Sequence, residues 1–158
     1  MIVELNELEQ ALARDLATRR HSTSRAEGLK DARRGPMSAE EVDLEGAGAE
    51  LAFCKLANVY PDTGGQPRPE DCHLADGRKV DVKATKHENG HLIAVRWKKP
   101  GAVDIYALVV GKFPKYRCAG FLPSSELLRE EKLKSFGREP AYAAEQDELQ
   151  RIEELLGD

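Results

Sequence analysis

The run Asp104-Ile-Tyr-Ala-Leu-Val-Val-Gly111 constrains the fold more than any other part of the chain. It is strongly apolar and rich in β-branched residues, so it has no face to offer water. Such a segment reads as a central strand buried on both faces. A central strand needs neighbours in its sheet and cover above and below. The sequence offers strands at Leu92–Val95 and Lys115–Leu122 and a hairpin around Asp71–Thr85. Helices are expected at Ile2 to about Arg19, with Leu5, Leu8, Leu12 and Leu16 at helical spacing, and at about Ala39–Ala57. A short helix opens at Pro123-Ser-Ser-Glu126. A final helix is expected over about Ala141–Leu156, with Leu149, Ile152, Leu155 and Leu156. The expected class is α/β, a mixed central β-sheet flanked by helices.

The hairpin carries the chemistry. Ala75-Asp76-Gly77 fits a three-residue loop, a type I turn followed by glycine in the left-handed region. In that register Leu74 opposes Arg78, His73 opposes Lys79, Cys72 opposes Val80, and Asp71 opposes Asp81. Opposed side chains share a face with Cβ atoms roughly 5 Å apart. Asp81, Lys83 and Thr85 alternate onto the face of Asp71. Cys72, Leu74, Val80, Val82 and Ala84 form the packable face. A two-residue loop of Asp76-Gly77 would put the two acids on opposite faces, so register decides the chemistry. Two close carboxylates repel unless a cation lies between them. Magnesium binds through one or two carboxylates, waters and phosphate oxygens. Lys83 beside such a site is placed to activate a water or to neutralise charge on a phosphate. An exposed strand face of alternating charges is the plainer reading of the same residues.

Upstream, Ser38-Ala-Glu-Glu41 is a capping-box pattern. It opens the helix whose stripe is Leu44, Ala47, Leu51, Cys54 and Leu56. Glu50 lies within it. Gly46 and Gly48 are poor helix residues and imply close packing.

The order of Gly46-Ala-Gly-Ala-Glu50-Leu-Ala, Asp62-Thr-Gly-Gly65, Asp71 and Asp81-Val-Lys83 resembles the PD-(D/E)xK nuclease superfamily. Its archaeal-type Holliday junction resolvases and related small phage resolvases look most similar. The resemblance spans Gly46 to Thr85. It implies a restriction-endonuclease-like core, and a single nuclease domain over residues 1–158. It also implies catalytic roles for Glu50, Asp71, Asp81 and Lys83, with Mg2+ (or Mn2+) held by Glu50, Asp71, Asp81 and the carbonyl of Val82. Two departures are visible: Glu70 rather than proline precedes Asp71, and the acid-x-Lys carries Asp81 where resolvases more often have Glu. The implied activity is nicking of four-way junctions in DNA recombination and repair by a homodimer, whose symmetry matches two equivalent strands. Another nicking or repair endonuclease, an exonuclease, or a non-catalytic DNA-binding accessory protein are alternatives.

Composition narrows the setting. A chain of 158 residues suits one domain with a real core. No run is long enough to span a membrane, and no secretory signal is visible. Three cysteines without Cys-x-x-Cys spacing point to reduced thiols in a cytoplasm (a host's, if the chain is phage-encoded) rather than to zinc. The net charge is −4, yet basic residues concentrate in an N-terminal helix and arm, about 1–36. Arg19, Arg20, Arg25, Lys30, Arg33 and Arg34 are expected on phosphates, with Thr63, Thr85 and Lys86 nearer the cut. Arg96-Trp97-Lys98-Lys99 is a second basic cluster. The acidic segment from Glu145 to Asp158 is expected to face away from DNA.

Overall fold

The computed structural model describes residues 1–26 (side chains to Arg20), 38–64, 66–135, 137 and 139–157. A short strand β1 (Ile2–Glu4) leads into helix α1 (Glu7–Ala26), and helix α2 (Ala39–Ala57) follows. Then come strands β2 (Cys72–His73), β3 (Lys79–Thr85), β4 (Leu92–Val95), β5 (Ile105–Lys112) and β6 (Lys115–Pro123). Helix α3 (Ser124–Leu127), strands β7 (Leu133–Lys134) and β8 (Ala141–Ala144), and helix α4 (Ile152–Leu156) come last. The main sheet has the order β1-β6-β5-β3-β2. Only β3 and β5 run parallel; the other pairs are antiparallel, so the sheet is mixed. A second, three-stranded sheet has the order β4-β8-β7.

β5 is central and buried on both faces because its side chains alternate between two cores. Ile105, Ala107 and Val109 join the core beneath α1 and α2, with Val80, Val82, Phe53 and Leu51. Tyr106, Leu108 and Val110 join a second core with Leu92, Ala94, Leu122, Leu127 and Ala144. The mixed α/β class therefore holds. Helices cover one face; the small sheet and α3 cover most of the other.

Helix α2 occupies the expected range because both ends carry local signals. The Ser38 hydroxyl accepts from the Glu41 N–H at 3.2 Å. Asn58 adopts the left-handed conformation (φ 55°) and donates its N–H to the carbonyls of Cys54 and Lys55.

Two helices differ from expectation. Residues 2–4 are a strand, because β1 completes the edge beside β6. The helix starts after Asn6, whose side chain accepts from Glu9 N–H while Glu9 accepts from Asn6 N–H. That reciprocal cap is the signal the leucine spacing obscures. The helix also runs on to Ala26, through part of the expected arm. At the other end, Ala141–Ala144 is a strand and not the start of a helix. Alanine favours helix, but all three alanines of this segment are buried, Ala144 in the second core, and the ladder to β4 outweighs propensity. Gln150 then bridges Phe121 with two backbone hydrogen bonds of 2.9 and 3.0 Å. Helical structure resumes only at Ile152. Gly120 makes this approach feasible: a Cβ there would stand 2.5 Å from the Gln150 carbonyl oxygen.

The two glycines of α2 separate cleanly. A Cβ on Gly48 would lie 2.3 Å from Tyr116 Oη and 2.8 Å from Phe113 Cδ2, whereas nothing lies within 4 Å of one on Gly46. Tyr116 cannot yield, since it is buried and donates to Glu45 at 3.2 Å. Gly48→Ala should therefore destabilise by about 1–3 kcal/mol, and Gly46→Ala should stabilise by about 0.5–1 kcal/mol. Urea denaturation of both variants checks this; equal effects would contradict the packing described.

Candidate active site

The hairpin folds in the three-residue-loop register. His73 opposes Lys79 and Cys72 opposes Val80. Gly77 sits at φ 91°, and the Leu74 N–H donates to the Arg78 carbonyl at 2.9 Å. The ladder then shifts. The Asp71 N–H donates at 2.8 Å to the carbonyl of Val80, the residue Cys72 already opposes. Asp71 is thus stepped off the simple position across from Asp81, as at a bulge. Its carboxylate takes over where the β2 backbone stops: Oδ2 accepts from the Val82 N–H at 2.7 Å. In an extended strand a residue's N–H and C=O leave on the same side. The Val82 carbonyl is therefore directed to the same open edge of β3 as Asp71.

Around Asp71 the charges are dense. Burial, then the Glu50 and Asp81 carboxylates, then a hydrogen bond with Glu50 push its carboxyl well above the usual aspartate range; the Val82 N–H opposes this only in part. Glu50 is carried here by α2, which packs over β3. Arg20, from α1, pairs with Glu50 and donates to the Asp62 carbonyl at 3.3 Å. Burial works against the Arg20 charge, but Glu50, Asp71 and Asp62 outweigh it and hold the guanidinium above its ordinary value.

Asp81 is the most enclosed acid, 4% exposed. Lys83 Nζ lies 3.2 Å and Lys98 Nζ 3.5 Å from its Oδ2. Tyr106 is its register partner on β5. Burial and the Asp81 charge push that phenol up to about 12, and its hydroxyl has no hydrogen-bond partner among the described residues.

The expected catalytic set, Glu50, Asp71, Asp81 and Lys83, thus comes to one edge of β3. The expected phosphate contacts distribute differently. Arg20 is inside the acid cluster. Arg19 lies outside it, paired with Asp15 one turn back at 3.0 Å. Thr85 packs under the 86–90 turn, where its Oγ1 accepts from His87 N–H at 3.2 Å. Thr63 is exposed on the loop that Asp62 shapes by accepting from Gly64 N–H at 2.9 Å. Lys86 is half-buried at the end of β3. The Arg25 side chain, Lys30, Arg33 and Arg34 lie outside the described residues. Lys98 and Tyr106 were not legible as site residues, because only the β3–β5 pairing and the turn after β4 bring them to Asp81. Glu70 is another surprise: it is 8% exposed and its Oε2 lacks a hydrogen-bond partner among the described residues.

The donor set of Glu50, Asp71, Asp81 and the Val82 carbonyl is all oxygen, the chemistry hard divalent cations take. Burial first, and then the Glu50 and Asp81 carboxylates, raise the Asp71 carboxyl; the second of these causes is a crowding of negative charge that a cation would relieve. The three carboxylates do not all lie within 4.8 Å of one another. Among the described residues that spacing is met by Glu145, Asp147 and Glu148. Those three are exposed, and Glu148 is already paired with Lys132. The cysteines are free. A hydrogen bond to the Cys72 thiol, then burial, push the Cys54 thiol up, so this pair behaves as core rather than as metal ligands. No described helix is long and apolar enough to cross a membrane. No protein-family model matches the chain, and no curated protein resembles it closely enough to count as a relative.

A carboxyl whose folded pKa exceeds its unfolded one contributes stability in full below the unfolded value, here 3.8. It loses that contribution as pH rises through the folded value. Asp71→Asn keeps an acceptor for the Val82 N–H and removes the buried charge. It should raise stability at pH 7.5 on the order of 1 kcal/mol, about 2–4 °C in Tm, with the gain fading toward pH 4. Metal-free thermal melts across that range check this; a variant less stable than wild type at pH 7.5 would contradict the electrostatics.

Proposed function

We propose that this protein is a magnesium- or manganese-dependent DNA endonuclease with a restriction-endonuclease-like core, and that it nicks four-way junctions as a homodimer. The observation that carries the reading is Asp71. One carboxyl accepts from the Val82 N–H, hydrogen-bonds Glu50 and feels Asp81, while Lys83 sits 3.2 Å from Asp81. Helix acid, strand acid and acid-x-Lys meet at one open strand edge.

Glu50, Asp71, Asp81 and the Val82 carbonyl would hold the metal. When bound, the ion supplies the charge that lowers the pKa of a water and neutralises the scissile phosphate. The protein's own contribution is mostly electrostatic. Lys83 and Lys98 hold two ammonium groups against Asp81, where a phosphate's developing negative charge would be stabilised. Tyr106 and the surrounding apolar residues keep that side of Asp81 dry, which strengthens each interaction. Arg20 clamps Glu50 to the Asp62 carbonyl and so sets where the helix acid stands. Junction selectivity rests on the resemblance alone.

Asp81→Asn and Lys83→Ala should each lower cleavage at least about 100-fold, the usual scale for loss of one such electrostatic group. DNA affinity should change little. The assay compares labelled junction, fork, duplex and single strand, with and without magnesium. Paired nicks confined to the junction support the resolvase reading. Equal cutting of duplex would leave a general nuclease. Wild-type rates in either variant would end the active-site assignment.

A further inference from the structure

The two exposed aromatic side chains among the described residues are Tyr60 and Trp97, at 82% and 63% exposure. Both belong to loops that touch the acid cluster. Tyr60 lies two residues before Asp62, whose carbonyl takes the Arg20 guanidinium. Trp97 is closer still. The Lys98 N–H donates to the Val95 carbonyl at 3.1 Å, closing a turn with Arg96 and Trp97 at its corner. That turn sends Lys98 inward, to 3.5 Å from Asp81, and leaves Trp97 outside. Arg96 and Lys99 beside it are exposed as well, and Arg96 reaches Glu139 at 3.0 Å. A large flat apolar surface is therefore held one residue from a lysine of the site, among cations. A buried core position would explain an indole at this point; an exposed one lacks that explanation.

We propose that Trp97 is a stacking platform for an unpaired DNA base next to the phosphate held at Asp81, with Lys99 and Arg96 on the adjoining backbone. A base inside a duplex has both faces covered by its neighbours, so the platform selects strands that are single or splayed open, as at a branch. Aromatic stacking accepts any base, because every base has a π-face. The inference rests on the nuclease reading for the position of the phosphate, but its test does not need cleavage.

Trp97 is the one tryptophan of the chain, so intrinsic emission reports this residue alone. The full-length protein is titrated in EDTA with a mixed-sequence single-stranded oligodeoxynucleotide, and separately with the same sequence as blunt duplex. Quenching by the single strand at least twice that by the duplex is expected. Trp97→Ala should weaken single-strand binding, followed by anisotropy of a labelled oligonucleotide, roughly 5- to 100-fold. It should leave duplex binding nearly unchanged, and Trp97→Phe should retain most of the affinity. No quenching, equal loss on duplex and single strand, or unchanged binding by Trp97→Ala would overturn the proposal. The variants' thermal melts should match wild type, as the side chain is exposed. If Asp81→Asn still cleaves at the wild-type rate while the Trp97 results hold, the active-site assignment fails and the stacking site stands. If Asp81→Asn is dead and the Trp97 results fail, the reverse follows.

Discussion

Three carboxylates, from α2, from the residue before β2, and from β3, are pressed together at one strand edge, and the surrounding structure is organised around carrying that charge. Like charges in a partly dry site cost several kcal/mol unless they are compensated. The protein compensates them three ways. Arg20 pairs with Glu50, Lys83 and Lys98 pair with Asp81, and Asp71 between them, its carboxyl pushed above the usual aspartate range, accepts from the Val82 N–H. Each cation comes from a different element, so the cluster also ties α1, α2, β3 and the turn after β4 to one another. Removing a single cation would leave an uncompensated acid.

The same charges set what can enter. A cation that displaces Arg20 from Glu50 must offer more than a guanidinium does, and under the proposed reading a divalent ion would meet three acids and a carbonyl there. Under that reading the positive charge that would meet a phosphate is that of Lys83 and Lys98 beside Asp81. The apolar shell beneath is built from Val80 and Val82 on the helix side and Tyr106 on the other. It is rigid because β5 is packed on both faces. Function of this kind needs such rigidity, since the acids must hold their positions against mutual repulsion.

Much of this was legible in the sequence where the signal is local. Ser38 and Glu41 mark the start of α2, Gly77 fixes the hairpin register, and the apolar run at 104–111 fixes the central strand. The misreadings occur where distant pairing overrides local preference. Ala141–Ala144 looks helical and is a strand because β4 needs a partner. Ile2–Glu4 looks like helix and is an edge strand because β6 is otherwise open. The site divides the same way. Asp71, Asp81 and Lys83 are brought together by the hairpin register, while Glu50 is named only by the family resemblance. Lys98 and Tyr106 follow from neither, because the parallel β3–β5 alignment and a turn some fifteen residues downstream of Lys83 bring them in. Arg20 was legible as a basic residue and not as the partner of Glu50, since that contact joins two helices across a long separation.

The central claim is that the cluster at Asp81 binds a divalent cation. Manganese titration followed by electron paramagnetic resonance tests this directly, with wild type, Asp81→Asn, and a variant carrying alanine at Glu145, Asp147 and Glu148. The account predicts a site of at least millimolar affinity that Asp81→Asn abolishes and the triple variant retains. Loss of binding in the triple variant with full binding in Asp81→Asn would contradict it.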